Sequence, residues 1–594
     1  MDILKYPFDA QLILRTKKKI RRELLADKST RIQKKIAILG GSTTSEIRDM
    51  LDLFLLDQGI EAEFYESDYN NYWQDVMFDD PKLIRFQPDI IFIHTTSRNL
   101  TNLPELTDKS DIIQRKLNEV FETLRMMWDK IAETYHCTVI QNNYERPWYR
   151  LLGNRDIFDE HGCSNFAAKL NEKLYEYARS HHNFYINDID FLSASYGLQK
   201  WNDPYYWYMY KCVPALPAVP EFAFNLANII KSIYGKNKKA LVTDLDNTLW
   251  GGIIGEDGPE NIEIGQETPV GQLYSEFQAY IKAHKAFGTL LAVDSKNDME
   301  GALAGLNRPD SILKPEDFLI IKANWEPKDK NIREIAQELN IGTDAIVFLD
   351  DNPAERHIVH VQVPDASVPE IGQPQDYLTT LDRSGFFEMT NFTEDDIQRS
   401  EMYKANIRRI HQEAAFTNYQ DYLLSLEMQA EIKSFSALYL PRIAQLTNKS
   451  NQFNLTTKRY TEAELTDMAE DPNCITLYGK LSDKFGDNGL VTVVCGHVDE
   501  NVLHIDLWLM SCRVLKRDME YAMMDELVKC CQRNGIDTIR GYYYPTKKNK
   551  MVSDFYGQMG FTKINEDNEG NSIWELKHLE EYRPKNSVIE VRKS

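Results

Sequence analysis

Two aspartates stand together at the end of an apolar stretch in the sequence LVTDLDNTLWGGIIGEDG, residues 241–258. Asp244 and Asp246 are followed by polar residues and a glycine-rich turn. Two carboxylates at one point repel each other, so such a pair points to a bound cation or to chemistry on a phosphoryl group. The alternative is that both side chains only cap a turn, as aspartates in loops often do.

Further polar residues follow in the same part of the chain. Ser295 ends the stretch LLAVDS, Asp350 and Asp351 follow the stretch AIVFL, and Lys328 comes shortly before the helical pattern NIREIAQELN. The carboxyl ends of parallel strands meet at one crevice, where ligands of open α/β sheets bind. These side chains are therefore predicted to share one crevice with the paired aspartates.

Phosphoryl transfer through an aspartyl phosphate is the chemistry that suits this set of residues. Asp244 is predicted to be the nucleophile, and Asp246 the acid that protonates the leaving oxygen and later activates water. Ser295 and Lys328 are predicted to hold the phosphoryl oxygens. Mg²⁺, which prefers oxygen ligands, is the predicted cofactor. Its predicted ligands are Asp244, Asp246, Asp350 and Asp351.

Strand and helix patterns alternate around these residues, which predicts a parallel α/β sheet. We predict strands at 239–244, 289–295, 318–323 and 345–350, with a further candidate at 357–364. From Asp246 to Ser295 the chain runs 295 − 246 = 49 residues, and from Ser295 to Lys328 it runs 328 − 295 = 33. The predicted turns, helices and strands fill both intervals, so we expect no separate cap domain over the crevice.

The motifs DLDNTLWGGIIGEDG, SKND, PKDKNI and FLDDNPAER resemble motifs I to IV of the haloacid dehalogenase (HAD) superfamily. The TLWGG turn is similar to that of its FkbH-like branch. The resemblance implies a Rossmannoid fold with Asp244 as nucleophile, Asp246 as acid and base, and Asp350 on Mg²⁺. The residues predicted to contact the substrate are Asn247, Thr248, Ser295, Lys296, Asn297, Lys328 and Asn352.

One position departs from the FkbH-like pattern. Members of that branch load a glyceryl unit from an acyl phosphate onto a carrier protein, through a thioester on a cysteine just before the SKND run. Asp294 occupies that position in AVDSKND. A carboxylate cannot form the thioester, which favours hydrolysis of a phosphate ester over carrier loading. If the Asp294 side chain points away from the site, the substitution is weaker evidence against carrier loading.

Two alternatives to a phosphatase stay open at this point. One is glyceryl or acyl transfer from an acyl phosphate to a carrier protein. The other is a non-catalytic scaffold whose central domain only binds phosphate. The predicted partners are accordingly a phosphorylated small molecule or a carrier-tethered substrate, including one on an acyl carrier protein.

The stretch AILGGSTTSE resembles the first block of the SGNH hydrolases, which implies Ser42 as a nucleophile and Asn99 as an oxyanion donor. That family takes its base from a late Asp-x-x-His, but no histidine stands three residues after Asp203. We therefore expect a non-hydrolytic domain, with Ser42 as a helix N-cap or a ligand contact. The aromatic run at 205–208 is expected to be packed core or, alternatively, a binding platform.

The stretch DLWLMSCRVLKRDMEYAMMDELVKCC, with DFYGQMGF after it, resembles the GNAT acyltransferases. Their pyrophosphate loop begins with Arg or Gln and has two glycine positions; counted from Arg513, these hold Lys516 and Asp518. Since glycine lets the backbone approach an anion, we expect weak or absent acetyl-CoA binding, with Arg513 and Lys516 as secondary candidates. The stretch 442–460, also typical of FkbH-like relatives, is either an anion-binding segment or an ordinary polar helix and loop.

The length of 594 residues predicts several domains. The predicted fold is multidomain α/β, with a central capless HAD Rossmannoid sheet flanked by an SGNH-like α/β domain and a GNAT-like α+β domain. The predicted bounds are a helical leader at 1–30, the SGNH-like domain at 31–235, the HAD domain at 236–375, a helical connector at 376–430, the GNAT-like domain at 431–575 and a tail at 576–594.

The composition excludes several classes of function. Lys and Arg number 69 against 91 Asp and Glu, a net charge of −22, which disfavours nucleic-acid binding. The basic segment 15–22 is expected to be the solvated face of a helix. No window approaches the roughly 18 apolar residues of a membrane span, no signal peptide is recognised, and the eight cysteines are scattered. A cytoplasmic protein with no nucleic-acid or membrane partner is expected.

Overall fold

The structure is a computed structural model that describes residues 1–27, 29, 31–413, 415–450, 452–546 and 548–592, with the side chain of residue 411 left out. Contacts between Cα atoms divide the chain into two compact units. The first unit comprises Met1–Ile233 and Thr461–Glu464, and the second comprises Tyr234–Tyr460 and Leu465–Ser594.

The first unit contains a five-stranded sheet of order β2-β1-β3-β4-β5, in which all pairs are parallel. Its strands are β1 Ile32–Gly40, β2 Ile60–Glu66, β3 Ile90–His94, β4 Thr138–Asn142 and β5 Phe184–Asn187. Its helices are α1 Ala10–Ala26, α2 Ser45–Asp57, α3 Tyr72–Met77, α4 Pro81–Phe86, α5 Ser110–Tyr135, α6 Cys163–Ser180, α7 Ile189–Tyr196, α8 Leu198–Trp201, α9 Pro204–Tyr210 and α10 Val219–Ile233.

Helix α1 packs into this unit, so the predicted separate leader at 1–30 is corrected. Lys17 Nζ lies 2.6 Å from Glu46 and 2.8 Å from Asp49, both on α2. Arg21 Nε lies 2.6 Å from Asp52 on the same helix. The basic segment therefore pairs with an acidic helix face rather than facing only solvent.

The second unit begins with a four-stranded parallel sheet of order β8-β7-β6-β9. Its strands are β6 Ala240–Thr243, β7 Leu290–Ser295, β8 Ile320–Ala323 and β9 Ile346–Leu349. Its helices are α11 Ile254–Asp257, α12 Pro269–Ala286, α13 Met299–Leu306, α14 Lys328–Glu338 and α15 Pro353–Gln362. Between β6 and β7 the chain forms only α11, α12 and two isolated bridges, Asp246 with Trp250 and Gly251 with Glu263, which leaves no separate cap domain.

The candidate strand at 357–364 is wrong, because this segment lies mostly in α15. Asn352 caps the helix, its side-chain oxygen accepting a hydrogen bond from the Ala354 amide at 2.9 Å. Pro353 occupies the first helical position, where its missing N–H costs nothing. These start signals outweigh the alternating apolar residues of HIVHVQVP.

The rest of the second unit is a helical connector followed by a mixed α+β part. The connector helices are α16 Tyr377–Arg383, α17 Glu394–Ile397, α18 Arg399–Glu413 and α19 Tyr419–Ser425. The following strands are β10 Met428–Lys433, β11 Phe453–Asn454, β12 Cys474–Asp483, β13 Gly486–Asp499, β14 Val502–Met510, β15 Thr538–Tyr543, β16 Thr562–Glu566, β17 Ser572–Lys577 and β18 Ile589–Val591. The helices among them are α20 Leu440–Lys449, α21 Glu462–Glu470, α22 Met519–Arg533 and α23 Phe555–Met559, where only the part of α21 from Leu465 onwards belongs to the second unit.

These strands form one sheet of order β16-β17-β15-β14-β13-β12-β10-β18, with β11 paired to β14. Most pairs are antiparallel, while β14 pairs in parallel with β15 and β10 with β18. The predicted tail at 576–594 is corrected, since β18 adds a strand to this sheet. Among the described residues, no helix has the length and apolar character needed to cross a membrane.

The connector and the turn after α14 both contact the mixed α+β part. Arg409 on α18 donates from Nη2 to Asp483 Oδ1 on β12 at 2.7 Å, and both side chains are buried. Asn340, just after α14, donates from Nδ2 to the carbonyl oxygen of Cys512 at 2.6 Å. The segments predicted as separate HAD and GNAT-like domains therefore lie in one compact unit.

Candidate active site

Two adjacent strands of the four-stranded sheet end beside each other and deliver the acidic residues. Strands β6 and β9 are adjacent and parallel, with Thr243 paired to Leu349. Asp244 follows β6 directly, and its amide donates to the carbonyl oxygen of Leu349 at 2.8 Å. The next residue after Leu349 is Asp350, so the two carboxylates emerge at the same edge of the sheet.

Asp244, Asp350 and Asp351 form a group that we call the carboxylate cluster. One oxygen from each lies within 4.8 Å of the others. Burial, and then repulsion by Asp244, raises the pKa of Asp350 to about 6. The same two causes raise the pKa of Asp351. All three carboxylates can therefore be ionised together only if positive charge lies close to them.

Lys328 supplies part of that charge. It opens α14, is 2% exposed, and its Nζ lies 2.5 Å from Asp350 Oδ2 and 3.1 Å from Asp244 Oδ2. Burial by itself lowers the pKa of this lysine, but the charges of Asp244 and Asp350 outweigh burial and hold the pKa above its usual value. Lys328 is therefore a fixed cation between the two carboxylates.

The carboxylate cluster fits a divalent metal ion. Asp244 Oδ1 is buried and has no hydrogen-bond partner, although the other oxygen of the same carboxylate faces Lys328. Mg²⁺ prefers carboxylate oxygens and is held in proteins by one or a few of them. Asp244, Asp350 and Asp351 are the residues that would hold it.

The side chain of Asp246, predicted as a fourth metal ligand, lies outside this cluster. Its Oδ1 accepts hydrogen bonds from Trp250 Nε1 at 2.9 Å and from the Ile254 amide at 3.1 Å. Its Oδ2 accepts from Asn297 Nδ2 at 3.0 Å. Three donors thus turn this carboxylate towards the glycine-rich turn and the end of β7, which explains why it does not join the other three.

Three predicted substrate contacts, Ser295, Asn297 and Thr248, lie beside these carboxylates. Asn297 Nδ2 reaches the hydroxyl of Ser295 at 3.1 Å as well as Asp246, so it links the ends of β6 and β7. Thr248 is fully buried, and its hydroxyl accepts from the Asp351 amide at 3.1 Å. The structure therefore brings these polar groups to the same edge of the sheet as the carboxylate cluster.

The remaining predicted substrate contacts are engaged elsewhere. Lys296 Nζ lies 2.5 Å from Glu355 on α15. Asn352 caps the same helix. Asn247 has a φ of 53°, a left-handed conformation, and its side-chain oxygen accepts from the Gly252 amide at 3.0 Å, closing the turn after β6. These three side chains organise loops rather than converging on the cluster.

Asp294 lies beside the site instead of pointing away from it. It is fully buried at the end of β7, and its Oδ1 accepts from Asn331 Nδ2 at 2.9 Å. Burial raises the pKa of this carboxyl to about 7, while Asn331 and the charge of Lys328 act in the opposite direction. Its Oδ2 is buried without a partner. The position predicted to matter for carrier loading is thus part of the electrostatic surroundings of Lys328.

Sequence reasoning assigned no role to Arg356 or Asn331. Arg356 Nη1 donates to the carbonyl oxygens of Asp350 and Asp351 at 2.8 and 2.7 Å, which fixes the loop that carries both acids. Asn331 lies one turn after Lys328 on α14 and orients Asp294. The NPAER and PKDKNI motifs contain both residues, so their position in the motifs was the available signal.

Comparison with known proteins identifies the family. The chain is 31% identical to the N-terminal part of protein BF1531 from Bacteroides fragilis, a crystal structure containing a phosphatase domain complexed with Mg. The match covers 63% of this chain and 99% of that chain, with a TM-score of 0.59. Residues 35–231 match the model of the FkbH N-terminal domain. The chain belongs to the FkbH-like family.

Other matches to this FkbH-like protein are weaker. The ribosomal-protein-S18-alanine N-acetyltransferase from Escherichia coli is 12% identical, with 25% of this chain and 94% of that chain covered and a TM-score of 0.21. The PaiA N-acetyltransferase from Thermoplasma acidophilum, in complex with coenzyme A, is 17% identical, with coverages of 25% and 99% and a TM-score of 0.19. No curated protein matches the chain significantly. Neither acetyltransferase match says anything about activity.

In the first unit of the FkbH-like protein, Ser42 is not a helix N-cap, because α2 begins at Ser45 after Thr44. The Ser42 hydroxyl donates to the carbonyl oxygen of Val213 at 3.5 Å. His94 Nε2 bonds the same carbonyl at 2.8 Å, and its Nδ1 bonds Asn142 Nδ2. Burial lowers the pKa of His94 to about 4. Both ring nitrogens are engaged, so this histidine, which sequence reasoning missed, is not available as a base for Ser42.

Asn99, predicted as an oxyanion donor, holds two loops together instead. Its Nδ2 donates to the Gly41 carbonyl oxygen at 2.8 Å and faces Asn70 Oδ1 at 3.4 Å, so both amide hydrogens have acceptors. The expected packed core at 205–208 is also wrong in part. Tyr205 and Tyr208 on α9 are 57% and 66% exposed.

In the mixed α+β part of the second unit, the loop before α22 contains two non-glycine residues in a left-handed backbone conformation. Lys516 and Asp518, which replace the two glycines, have φ values of 64° and 60°, the left-handed conformation that glycine adopts most easily. The loop thus keeps a glycine-like shape without glycine. Arg513 does not face this loop: its Nε donates to Ser511 Oγ at 3.2 Å and its Nη1 faces the sulfur of Met402.

Proposed function

We propose that this FkbH-like protein is a Mg²⁺-dependent phosphatase that hydrolyses a phosphate monoester through phosphorylated Asp244. The observation that carries the proposal is the environment of the Asp244 carboxylate. One oxygen is held by the buried Lys328, while the other is buried and unpartnered at the edge of the sheet where Asp350 and Asp351 stand. An unpartnered carboxylate oxygen beside fixed positive charge is suited to attack phosphorus.

In the first half-reaction, an Asp244 oxygen forms a bond to phosphorus as the bond from phosphorus to the ester oxygen breaks. The departing oxygen takes a proton from the Asp246 carboxyl group and leaves as an alcohol. The hydrogen bonds from Trp250, Ile254 and Asn297 hold Asp246 in one orientation during this transfer. The product of this step is the aspartyl phosphate.

In the second half-reaction, water gives a proton to Asp246 and its oxygen attacks the phosphorus of the aspartyl phosphate. The phosphorus–Asp244 bond breaks, inorganic phosphate leaves, and both aspartates return to their starting states. Lys328 and the Ser295 hydroxyl hold the phosphoryl oxygens through both steps. When bound at Asp244, Asp350 and Asp351, Mg²⁺ supplies the positive charge that allows a carboxylate and a phosphate to approach each other.

Carrier loading finds less support in the surroundings of the site. Its thioester requires a thiol at position 294, and the carboxylate there is buried against Asn331. Incubation with an acyl phosphate and an acyl carrier protein, followed by intact-mass measurement of the carrier, tests this route. An acylated carrier would replace the phosphatase proposal with acyl transfer.

The decisive experiment is hydrolysis of an aryl phosphate with Mg²⁺ by the wild type, Asp244→Asn and Asp365→Asn. Asp365 is an exposed aspartate of the same unit and serves as the matched control. Activity that is lost in Asp244→Asn and kept in Asp365→Asn is the expected result. Equal activity in wild type and Asp244→Asn refutes the proposal, and no hydrolysis by any of the three favours a phosphate-binding scaffold. Sugar phosphates, acyl phosphates and nucleotides then define the substrate.

A further inference from the structure

A second group of charged side chains lies at the opposite end of the four-stranded sheet from the carboxylate cluster. We call it the cationic crevice. It consists of Arg399, Arg442, Lys449 and Arg513. Arg399 Nη1 donates to the carbonyl oxygen of Gly288, two residues before β7 begins, at 3.3 Å. The crevice therefore lies at the amino ends of strands whose carboxyl ends carry the proposed catalytic residues.

The length of β6 separates the two sites. Lys239 immediately precedes this strand and is close enough to lower the pKa of Lys449, whereas Asp244 immediately follows it. Five residues of extended chain span about 16 Å at roughly 3.3 Å per residue. A ligand in the cationic crevice is thus distinct from a phosphoryl group on Asp244.

Three elements of the second unit position the four cations. Arg399 is the first residue of α18. Arg442 and Lys449 lie seven residues apart on α20, a spacing that places them on one face of the helix. Arg513 lies in the short turn Cys512–Val514 after β14. The side chains of Arg399, Arg442 and Lys449 are 20%, 13% and 28% exposed, so each is largely buried but keeps some contact with solvent.

Two carboxylates offset these cations only in part. Arg442 Nε lies 2.9 Å from Asp395 Oδ2. Asp396 forms an ion pair with Arg399 and lies 3.6 Å from Lys449 Nζ. Four basic side chains thus face two carboxylates, which lie at ion-pair distance from three of them.

Arg513 differs from the other three cations in its acidic partners. It is 8% exposed, and within the described residues no carboxylate lies at ion-pair distance from it. Burying a charge without a partner is costly, so proteins rarely keep one unless a ligand pairs with it. Burial, and then the guanidinium of Arg442, lowers the pKa of Arg399 to about 10. Burial also lowers the pKa of Lys449, with Arg399 and Arg442 adding to the effect.

We propose that the cationic crevice binds a small phosphate-bearing anion. A phosphate anion adds negative charge where basic side chains outnumber acidic ones, and guanidinium groups match the geometry of phosphate oxygens. The polar and basic stretch 442–460 supplies two of the four cations, which gives that segment a role. This inference is independent of the proposed hydrolysis, because it concerns the other end of the sheet.

The test measures binding of inorganic phosphate by calorimetry in EDTA, at an ionic strength held constant with chloride. Without a metal ion, the acidic carboxylate cluster repels phosphate, so binding under these conditions reports on the crevice. Arg513→Gln is expected to weaken phosphate binding about tenfold or more, since it removes a charged hydrogen-bond donor. Arg583→Gln, which changes an exposed arginine of the same unit, is expected to bind phosphate as the wild type does.

Thermal unfolding separates loss of a ligand contact from loss of the fold. Without phosphate, Arg513→Gln is expected to unfold at the wild-type temperature or above, because it removes an unpaired buried cation. With phosphate, the wild type is stabilised and Arg513→Gln is not. Lys449→Gln changes the more exposed end of the crevice, and this variant should also lose the stabilisation by phosphate.

Wild-type phosphate affinity in both crevice variants, or no phosphate binding by the wild type, overturns the proposal. Inorganic pyrophosphate measured alongside identifies the ligand class. Tighter binding of pyrophosphate than of phosphate assigns the crevice to a diphosphate group, and the reverse order assigns it to a single phosphate group.

Discussion

The ammonium group of Lys328 lies 2.5 Å from Asp350 Oδ2, and both side chains are buried. Asp244 Oδ2 lies 3.1 Å from the same ammonium group. One buried cation thus pairs with two carboxylates that would otherwise repel each other at the end of the sheet. The stability of this part of the protein and its proposed chemistry both depend on that arrangement.

Replacing Lys328 with methionine should destabilise the protein by about 3–5 kcal/mol in EDTA, because it leaves two buried carboxylates without their cation. Chemical denaturation measures the loss, and aryl phosphate hydrolysis should disappear in the same variant. Lys330→Met is the control, since Lys330 is 53% exposed and pairs with Glu326 on the surface. A Lys328→Met protein as stable as the control would contradict this account of the buried pair.

Asp246→Asn should slow turnover by about 10²–10⁴-fold, the usual contribution of a general acid and base. The phosphoryl group should then remain on the protein, because the variant cannot activate water efficiently. Rapid quenching followed by intact-mass measurement detects the added phosphoryl group. If the variant turned over at the wild-type rate, the role given to Asp246 would be wrong.

Mg²⁺ binding distinguishes the cluster seen in the structure from the ligand set predicted from the sequence. Asp350→Asn should lose most Mg²⁺ affinity in a calorimetric titration, because Asp350 belongs to the carboxylate cluster. Asp246→Asn should bind Mg²⁺ nearly as the wild type does, since the Asp246 side chain is held by three other donors. EDTA should abolish hydrolysis by the wild type. The opposite order of affinities would restore the Asp246 side chain as a ligand.

Asp294→Asn should change how stability depends on pH. The folded-state pKa of Asp294, about 7, is raised above its value in the unfolded chain, about 3.9. Folding is therefore most favoured below the unfolded-state pKa, and this group costs stability as the pH rises towards 7. The asparagine cannot ionise and still offers an oxygen to Asn331. Relative to the wild type, the free energy of unfolding of the variant should increase between pH 4 and pH 7, by about 4 kcal/mol at most.

Urea denaturation of both proteins across this range measures the difference. Asp294→Ala should not show the same gain, because it leaves the Asn331 amide without its acceptor. A stability difference between Asp294→Asn and the wild type that does not vary with pH would mean that Asp294 is already neutral or already charged throughout.

Local signals in the sequence accounted for the strands of the central sheet, which the structure places within one or two residues of their predicted bounds. Short apolar runs followed by polar residues identify such strands because burial on both faces requires continuous apolar side chains. The same reasoning failed at 357–364, where alternating apolar residues lie on a helix that Asn352 and Pro353 begin. Asn352 and Pro353 favour a helix, whereas the alternating apolar residues favour a strand. The sequence alone does not show which of the two signals is stronger.

Residues that act through long-range contacts were harder to foresee. Arg356 in the NPAER motif donates hydrogen bonds to the backbone carbonyl oxygens of Asp350 and Asp351. The residue type of an arginine does not predict which carbonyl oxygens it will bind. The carboxylate of Asp246 resembles that of Asp244 in type and in position along the motif. Only the positions of Trp250, Ile254 and Asn297 show that it is bound by other donors.

By itself the sequence determined that Asp244, Ser295 and Asp350 end neighbouring strands, because apolar pattern and parallel connection rules fix which end of each strand carries polar residues. The tertiary structure alone decided which carboxylates converge and which cations remain without acidic partners. Strand pairing brings Asp244, Asp350 and Asp351 together. The packing of α20 against β13 brings Arg442 close enough to Arg513 for their charges to interact. Charge is a property of single residues, whereas its balance belongs to groups that folding brings together from distant parts of the chain.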